Sequence, residues 1–394
     1  MTQKNLTYVT GYWIWTTKLE LIKILLTLIP FPLISTYDYQ LADLILDHST
    51  EVQANDHVMV QLIGLNGINL LRALVQGVRK RGAHPFVQIE DTEVQKDMVE
   101  QGNEDFWKIQ AKVDQLPLMK QMDVFIGIRA SENIYEQSKA SKEANKAYSE
   151  HFLKPVHFDE RVNNTRWCIM RYPSPAFAMN AKLPTREFTQ FYYDACLVDY
   201  GQLKKAMEPL EKRLREADQV HLKGEGTDIV LSVKGQNWIP CYGRHNIPDG
   251  ELFSSPIIDS VQGVITYAPS VYQGKPFEFV TLEVKDGVVI DFYSSNNDAL
   301  RDILDTDKGS RCFGEFSFGT NPIISSPMYD ILFDEKIYGS NHLTLGKDYE
   351  VAPNGNSSTI HWDLVCIGAD VYLDGELIRK GREYVVEDLK GLNP

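Results

Sequence analysis

The spacing of apolar residues changes period near Gly224, and that change requires two architectures within one chain. Before it, short apolar runs alternate with helical periodicity. An amphipathic helix is expected over residues 41–46, then a strand over His57–Ile63. A helical stretch follows with Ile68, Leu71, Leu74 and Val75 on one side, closed by Arg79, Lys80 and the cap-like Gly82. Further strands are predicted over residues 85–89, 122–128 and 167–171. Strands alternating with helices imply a parallel sheet covered by helices. The first strand-to-helix turn carries Gly64 and Gly67 but no G-x-G-x-x-G, so a dinucleotide site is not indicated. Residues 184–217, rich in Glu, Lys, Arg and Leu, predict a long helical bridge.

After Gly224 the runs are short and β-branched: 227–233, 263–268, 277–284, 287–292 and 371–377. Turn pairs such as Asp286-Gly287 and Asp374-Gly375 punctuate them, and Asp-Gly between apolar runs is a strong hairpin signal. The expected fold is an α/β N-terminal domain with a mostly parallel sheet, followed by an α+β, largely antiparallel C-terminal domain. The divisions expected are an extension over residues 1–35 and domains over 36–217 and 218–394.

A chain of 394 residues can bury two ample cores. Its net charge of −14 argues against a nucleic-acid partner, which would need a basic surface. Cys168, Cys196, Cys241, Cys312 and Cys366 are scattered without a C-x-x-C. That excludes a cysteine-type structural zinc site and a disulfide framework, and points to a reducing, cytoplasmic compartment. Residues 24–34 are apolar apart from Thr27 and two prolines. A membrane span needs about 18 or more such residues, and Pro30 and Pro32 would break a helix early. An accessory extension is expected there, with no stable membrane association.

The second half also gathers the candidate chemistry: Glu251, Glu315, Glu335, His342, His361 and Asp363. His361 and Asp363 lie two apart in an apolar run over residues 359–367 that reads as one buried strand, so both side chains would face the same point. A buried carboxylate needs a partner, and the other candidates make a cation the expected one. Taken alone, Glu251 reads as a solvated turn residue after Pro248-Asp249-Gly250. Glu335, between Asp334 and Lys336, reads almost equally well as part of a surface charge cluster. His245, beside Arg244, reads as structural or as a residue lying behind the ligands.

Five segments carry a family resemblance: Gly250-Glu251-Leu252-Phe253-Ser254-Ser255-Pro256, Gly314-Glu315-Phe316-Ser317-Phe318-Gly319-Thr320-Asn321, Leu332-Phe333-Asp334-Glu335-Lys336, Asn341-His342-Leu343-Thr344-Leu345-Gly346 and Asn356-Ser357-Ser358-Thr359-Ile360-His361-Trp362-Asp363. In this order they resemble the metallo-aminopeptidases of the aminopeptidase T and aminopeptidase S type. The resemblance runs from about residue 37 to the C-terminus. It implies a two-domain, dimeric exopeptidase acting on short peptides. It also implies metal ligands at Glu251, Glu315, His342, His361 and Asp363, with Glu335 as a further one, and a catalytic tyrosine at Tyr349. The stretch between Glu335 and His342 is longer than in some members.

Peptide hydrolysis at neutral pH needs a nucleophile better than bulk water. Two divalent cations sharing four carboxylates and two imidazoles would supply one, and that donor set suits Zn, Co or Mn. No cysteine is expected among the donors. Glu315, or Glu251 if less tightly held, is the candidate general base, and Tyr349 the candidate donor to the oxyanion. The alternative is a non-haem iron(II) ring-cleaving dioxygenase, related to those acting on dihydroxypyridines, with His342, His361 and Asp363 as its facial triad.

Overall fold

The computed structural model describes residues 34–133, 135–136 and 140–394. The expected extension over residues 1–35 lies almost wholly outside them. The first described helix, Thr36–Leu44, begins at Ser35, whose hydroxyl accepts from the Asp38 amide while the Asp38 carboxylate accepts back from Ser35. This reciprocal cap satisfies amides that helix geometry leaves orphaned.

The first half is built on a parallel sheet. Strands β1 (His57–Ile63), β2 (His84–Glu90), β3 (Val124–Arg129) and β4 (Arg166–Arg171) run in the order β2-β1-β3-β4. The central strands β1 and β3 are buried almost end to end, as helices on both faces demand. The predicted helical bridge is two helices, Thr185–Cys196 and Tyr200–Glu216. The break has a local cause: Asp199 is extended and its carboxylate accepts from the Gln202 amide, which starts a new helix.

The second half is antiparallel. An eight-stranded sheet includes Gln219–Gly224 and Thr227–Ser232 as neighbours. The run predicted over residues 371–377 is a hairpin, Asp370–Leu373 and Glu376–Lys380, folding at Asp374-Gly375.

The other sheet carries the site. Its strands are β5 (Ile239–Cys241), β7 (Glu251–Ser254), β8 (Phe313–Gly319), β9 (Ser340–Gly346) and the pieces β10 (His361–Trp362) and β11 (Val365–Ile367). Between β5 and β7, β6 (Asn246–Ile247) leaves this sheet and pairs with β4, so the parallel sheet ends on a strand from the second half. Every residue of β8 and β9 is buried. One face of the sheet presents Leu252, Phe316, Phe318, Leu343 and Leu345 to the core, all fully buried. Strand alternation therefore turns Glu251, Glu315 and His342 to the opposite face.

Candidate metal centre

Cross-strand register brings the predicted residues together. Ser317 on β8 lies opposite His342 on β9 and Phe253 on β7, Glu315 lies opposite Thr344, and Gly319 lies opposite Glu251. Directly opposed residues on one face have Cβ atoms about 5 Å apart, so the register sets the cluster before any side chain is placed. The predicted strand over residues 359–367 is interrupted at Asp363 and Leu364, although the Leu343 amide still donates to the Leu364 carbonyl and β10 and β11 pair with β9 in one continuous register. Asp363 reaches the cluster all the same, held by the Thr344 hydroxyl at 2.6 Å.

Glu315 is the centre of the arrangement. Its Oε1 lies 3.1 Å from His342 Nε2, and its Oε2 lies 3.3 Å from His361 Nε2. His342 Nε2 is also 3.6 Å from Glu251 Oε2, and His361 Nε2 is 3.1 Å from Asp363 Oδ1. Two groups of three donors result, Glu251/Glu315/His342 and Glu315/His361/Asp363, each with donor atoms within 4.8 Å of one another.

The donors fit divalent cations. His361 Nδ1 is 2.8 Å from the Lys347 carbonyl, which fixes the ring and leaves Nε2 aimed at Glu315 and Asp363. At that nitrogen no contact meets hydrogen-bond geometry. An imidazole oriented by a carbonyl on one nitrogen and open on the other is the usual form of a metal-bound histidine. The mixed oxygen and nitrogen donors are of the type that Zn, Co and Mn accept.

The charges reinforce one another in the metal-free protein. Burial would lower the pKa of His342, but its hydrogen bond to Glu315 and the surrounding carboxylates win and raise it to about 9. For His361 burial is likewise outweighed, chiefly by the Asp363 charge, and the pKa rises to about 12. Burial favours the neutral forms of Glu315 and Asp363, yet the two imidazoles hold both carboxyls below their ordinary values. Protonated histidines thus compensate the carboxylates, and a metal must displace those protons to bind.

Tyr349 stands at the rim, its ring 4.8 Å from that of His361 and 5.5 Å from that of Phe253. Loss of solvation around the hydroxyl, then the charges of Glu315 and Asp363, raise its pKa well above the usual phenol value. The residue as a whole is 45 % exposed. His361, a quarter exposed, opens on the same side, whereas His342 has no exposed side-chain surface.

Two expectations are corrected here. Asp334, Glu335 and Lys336 are not a surface cluster: the Lys336 side chain has no exposed surface and lies 2.6 Å from Glu335 Oε1, in contact with Glu251 Oε1 and 3.7 Å from Asp249 Oδ1. Burial raises the Glu335 pKa to about 8 despite Lys336, and that of Asp249 to about 6. Glu335 belongs to neither three-donor group. Cysteine is also nearer than expected, since Cys241 forms a third group with Asp249 and Glu251. Its thiol is pushed well above the ordinary value by burial and then by those carboxylates. Neither Lys336 nor Asp249 carried a sequence signal beyond adjacency to Glu335 and Glu251. His245 stacks on Trp167, with ring centroids 4.4 Å apart, and belongs to none of these donor groups.

Imidazoles and carboxylates gathered beside one buried sheet face define a protein with a candidate metal centre. The chain belongs to the thermophilic metalloprotease family M29, whose profile matches residues 38–388. It is 35 % identical over 150 residues to Aminopeptidase 2 of Geobacillus stearothermophilus, covering 33 % of this chain and 36 % of that one. To Aminopeptidase T of Thermus aquaticus it is 27 % identical over 268 residues, 55 % of this chain and 65 % of the other. The chain thus spans between about a third and two thirds of the curated relatives it matches. Wild-type AmpT from Thermus thermophilus shares the fold, with a TM-score of 0.77 at 21 % identity over 89 % of this chain and 99 % of that one. The 2,5-dihydroxypyridine dioxygenase of Pseudomonas putida KT2440 shares it less closely, with a TM-score of 0.57 at 15 % identity over 90 % and 98 %.

Proposed function

We propose that the protein is a metal-dependent aminopeptidase that removes N-terminal residues from short peptides at a centre of two divalent cations. The observation that carries this reading is the sharing of Glu315 between two three-donor groups. Membership of a metalloprotease family and likeness to proteins named aminopeptidases support it. Glu251, Glu315 and His342 would hold one cation, and Glu315, His361 and Asp363 the other. Bound cations would supply an acidified water and polarise the scissile carbonyl.

The chain's own groups do the rest. The Lys347 carbonyl keeps His361 from rotating. Tyr349 keeps its proton and can donate it in a hydrogen bond at the open rim, a contact of a kind worth about 3 kcal/mol toward a developing oxyanion. Glu315 is the proposed base, although both its oxygens face histidines, and Glu251 is the other candidate. The excess of carboxylates draws in a protonated amino terminus. A homodimer and a cytoplasmic location are part of the proposal and rest on the family resemblance and cysteine usage. Among the described residues no helix is long and apolar enough to cross a membrane. The dioxygenase reading is less favoured, because a three-ligand iron site has no use for Glu251 and Glu315 together.

The test is release of amino acids from aminoacyl-naphthylamides by the purified protein. Chelation should abolish release, and Zn, Co or Mn should restore it. No release with any of the three, across apolar and basic residues, would falsify the reading.

A further inference from the structure

Lys336 is a buried cation inside a site whose reading depends on cations, and this inference rests on that reading. Removing an ammonium from water costs several kcal/mol unless it is well paired. Here Glu335, Glu251 and Asp249 pair it. Two of those carboxylates, with Cys241, make up the third donor group, whose donor atoms lie within 4.8 Å of one another. The ammonium therefore stands against the donors that a cation in that group would use.

Glu251 is divided by this contact. Its Oε1 faces Lys336, while its Oε2 accepts from the Ser317 hydroxyl at 3.1 Å and lies 3.6 Å from His342 Nε2. Glu335 Oε1 is likewise taken up by Lys336.

We propose that Lys336 is a positioning residue, a resident cation that withdraws Glu335, Asp249 and one oxygen of Glu251 from metal binding. The centre is thereby restricted to Glu251 through Oε2, Glu315, His342, His361 and Asp363. Glu335 pairs with Lys336 and does not ligate.

Cobalt titration, read by metal analysis and visible absorbance, tests this without any activity assay. Glu335→Gln should bind as many equivalents as the wild type. Lys336→Met should take up one more equivalent per chain and gain a thiolate-to-cobalt absorption, which a further Cys241→Ser change removes. Should Lys336→Met fail to fold, Lys336→Met/Glu335→Gln relieves the uncompensated charge, keeps the Cys241 group and is titrated in its place. Loss of an equivalent in Glu335→Gln would make Glu335 a ligand and overturn the proposal. So would an unchanged count without the thiolate band when Lys336 is replaced. A wild type that takes up no cobalt would overturn the metal reading itself, and this inference with it; a normal wild type isolates the failure to Lys336.

Discussion

Among the described residues, Glu315 is the carboxylate that faces both imidazoles, 3.1 Å from His342 and 3.3 Å from His361. Glu315→Gln keeps its size but removes the charge from both donor groups at once. Metal content should therefore fall together with activity, the latter by about 10²–10⁴, and excess metal should restore part of the rate. A variant that keeps its full metal content yet loses turnover would leave Glu315 the role of base alone and remove it from the metal donors. Normal turnover with lowered stability would reduce it to a structural carboxylate. At this scale the sequence was legible wherever chemistry recurs at fixed spacing, as in His361 and Asp363. It was silent on Lys336, because a lysine that follows two acidic residues looks solvated until the fold sets it against Asp249 and Glu251.

At the scale of elements, the geometry of the centre depends on where β9 stops. Gly346 has φ +100°, and a Cβ there would lie 2.2 Å from the Ile360 carbonyl oxygen, on the segment that leads into His361. Gly346→Ala should cost about 2–3 kcal/mol in backbone strain and contact and weaken metal binding at the Glu315/His361/Asp363 group. Denaturant melts with and without metal would measure both, and wild-type behaviour in each would refute the role given to this turn.

A second element-scale prediction concerns the π-helical segment Ser149–Arg161, which packs on the parallel sheet. Burial, then the charges of Arg161 and Arg129, lower the His157 pKa from 6.5 to about 3. The neutral form belongs to the folded state, so its contribution is complete above pH 6.5 and is lost as pH falls toward 3. By pH 5 the loss is at most about 2 kcal/mol. His157→Gln should flatten that part of the pH–stability curve; an unchanged slope would contradict the assignment. Most of the strands expected from the sequence lie within two or three residues of observed ones, because apolar alternation marks them, but the site strands Glu251–Ser254, Phe313–Gly319 and Ser340–Gly346 were not among those expected. Nor were the split of the helical bridge at Asp199 and the interruption of the strand at Asp363. Both depend on side-chain hydrogen bonds, Asp199 to Gln202 and Thr344 to Asp363, that compete with regular pairing.

For the whole molecule, the change of texture near Gly224 foretold a parallel sheet followed by antiparallel ones, and both are present. It did not foretell that β6 would return to the first sheet beside β4, since a two-residue strand carries no periodicity. Nor did it show how the sheet carrying the site turns one face to the core and the other to the metal donors, which only the register among β7, β8 and β9 establishes. The account's central claim, an exopeptidase working at two cations, is tested most directly by one paired measurement on reconstituted wild-type protein. Metal per chain is determined in the same sample that is offered a short peptide with a free amino terminus and its N-acetylated counterpart. Two cations per chain, with stepwise release from the free peptide and none from the acetylated one, is the predicted result. Full metal loading without cleavage, or equal cleavage of both peptides, would contradict it.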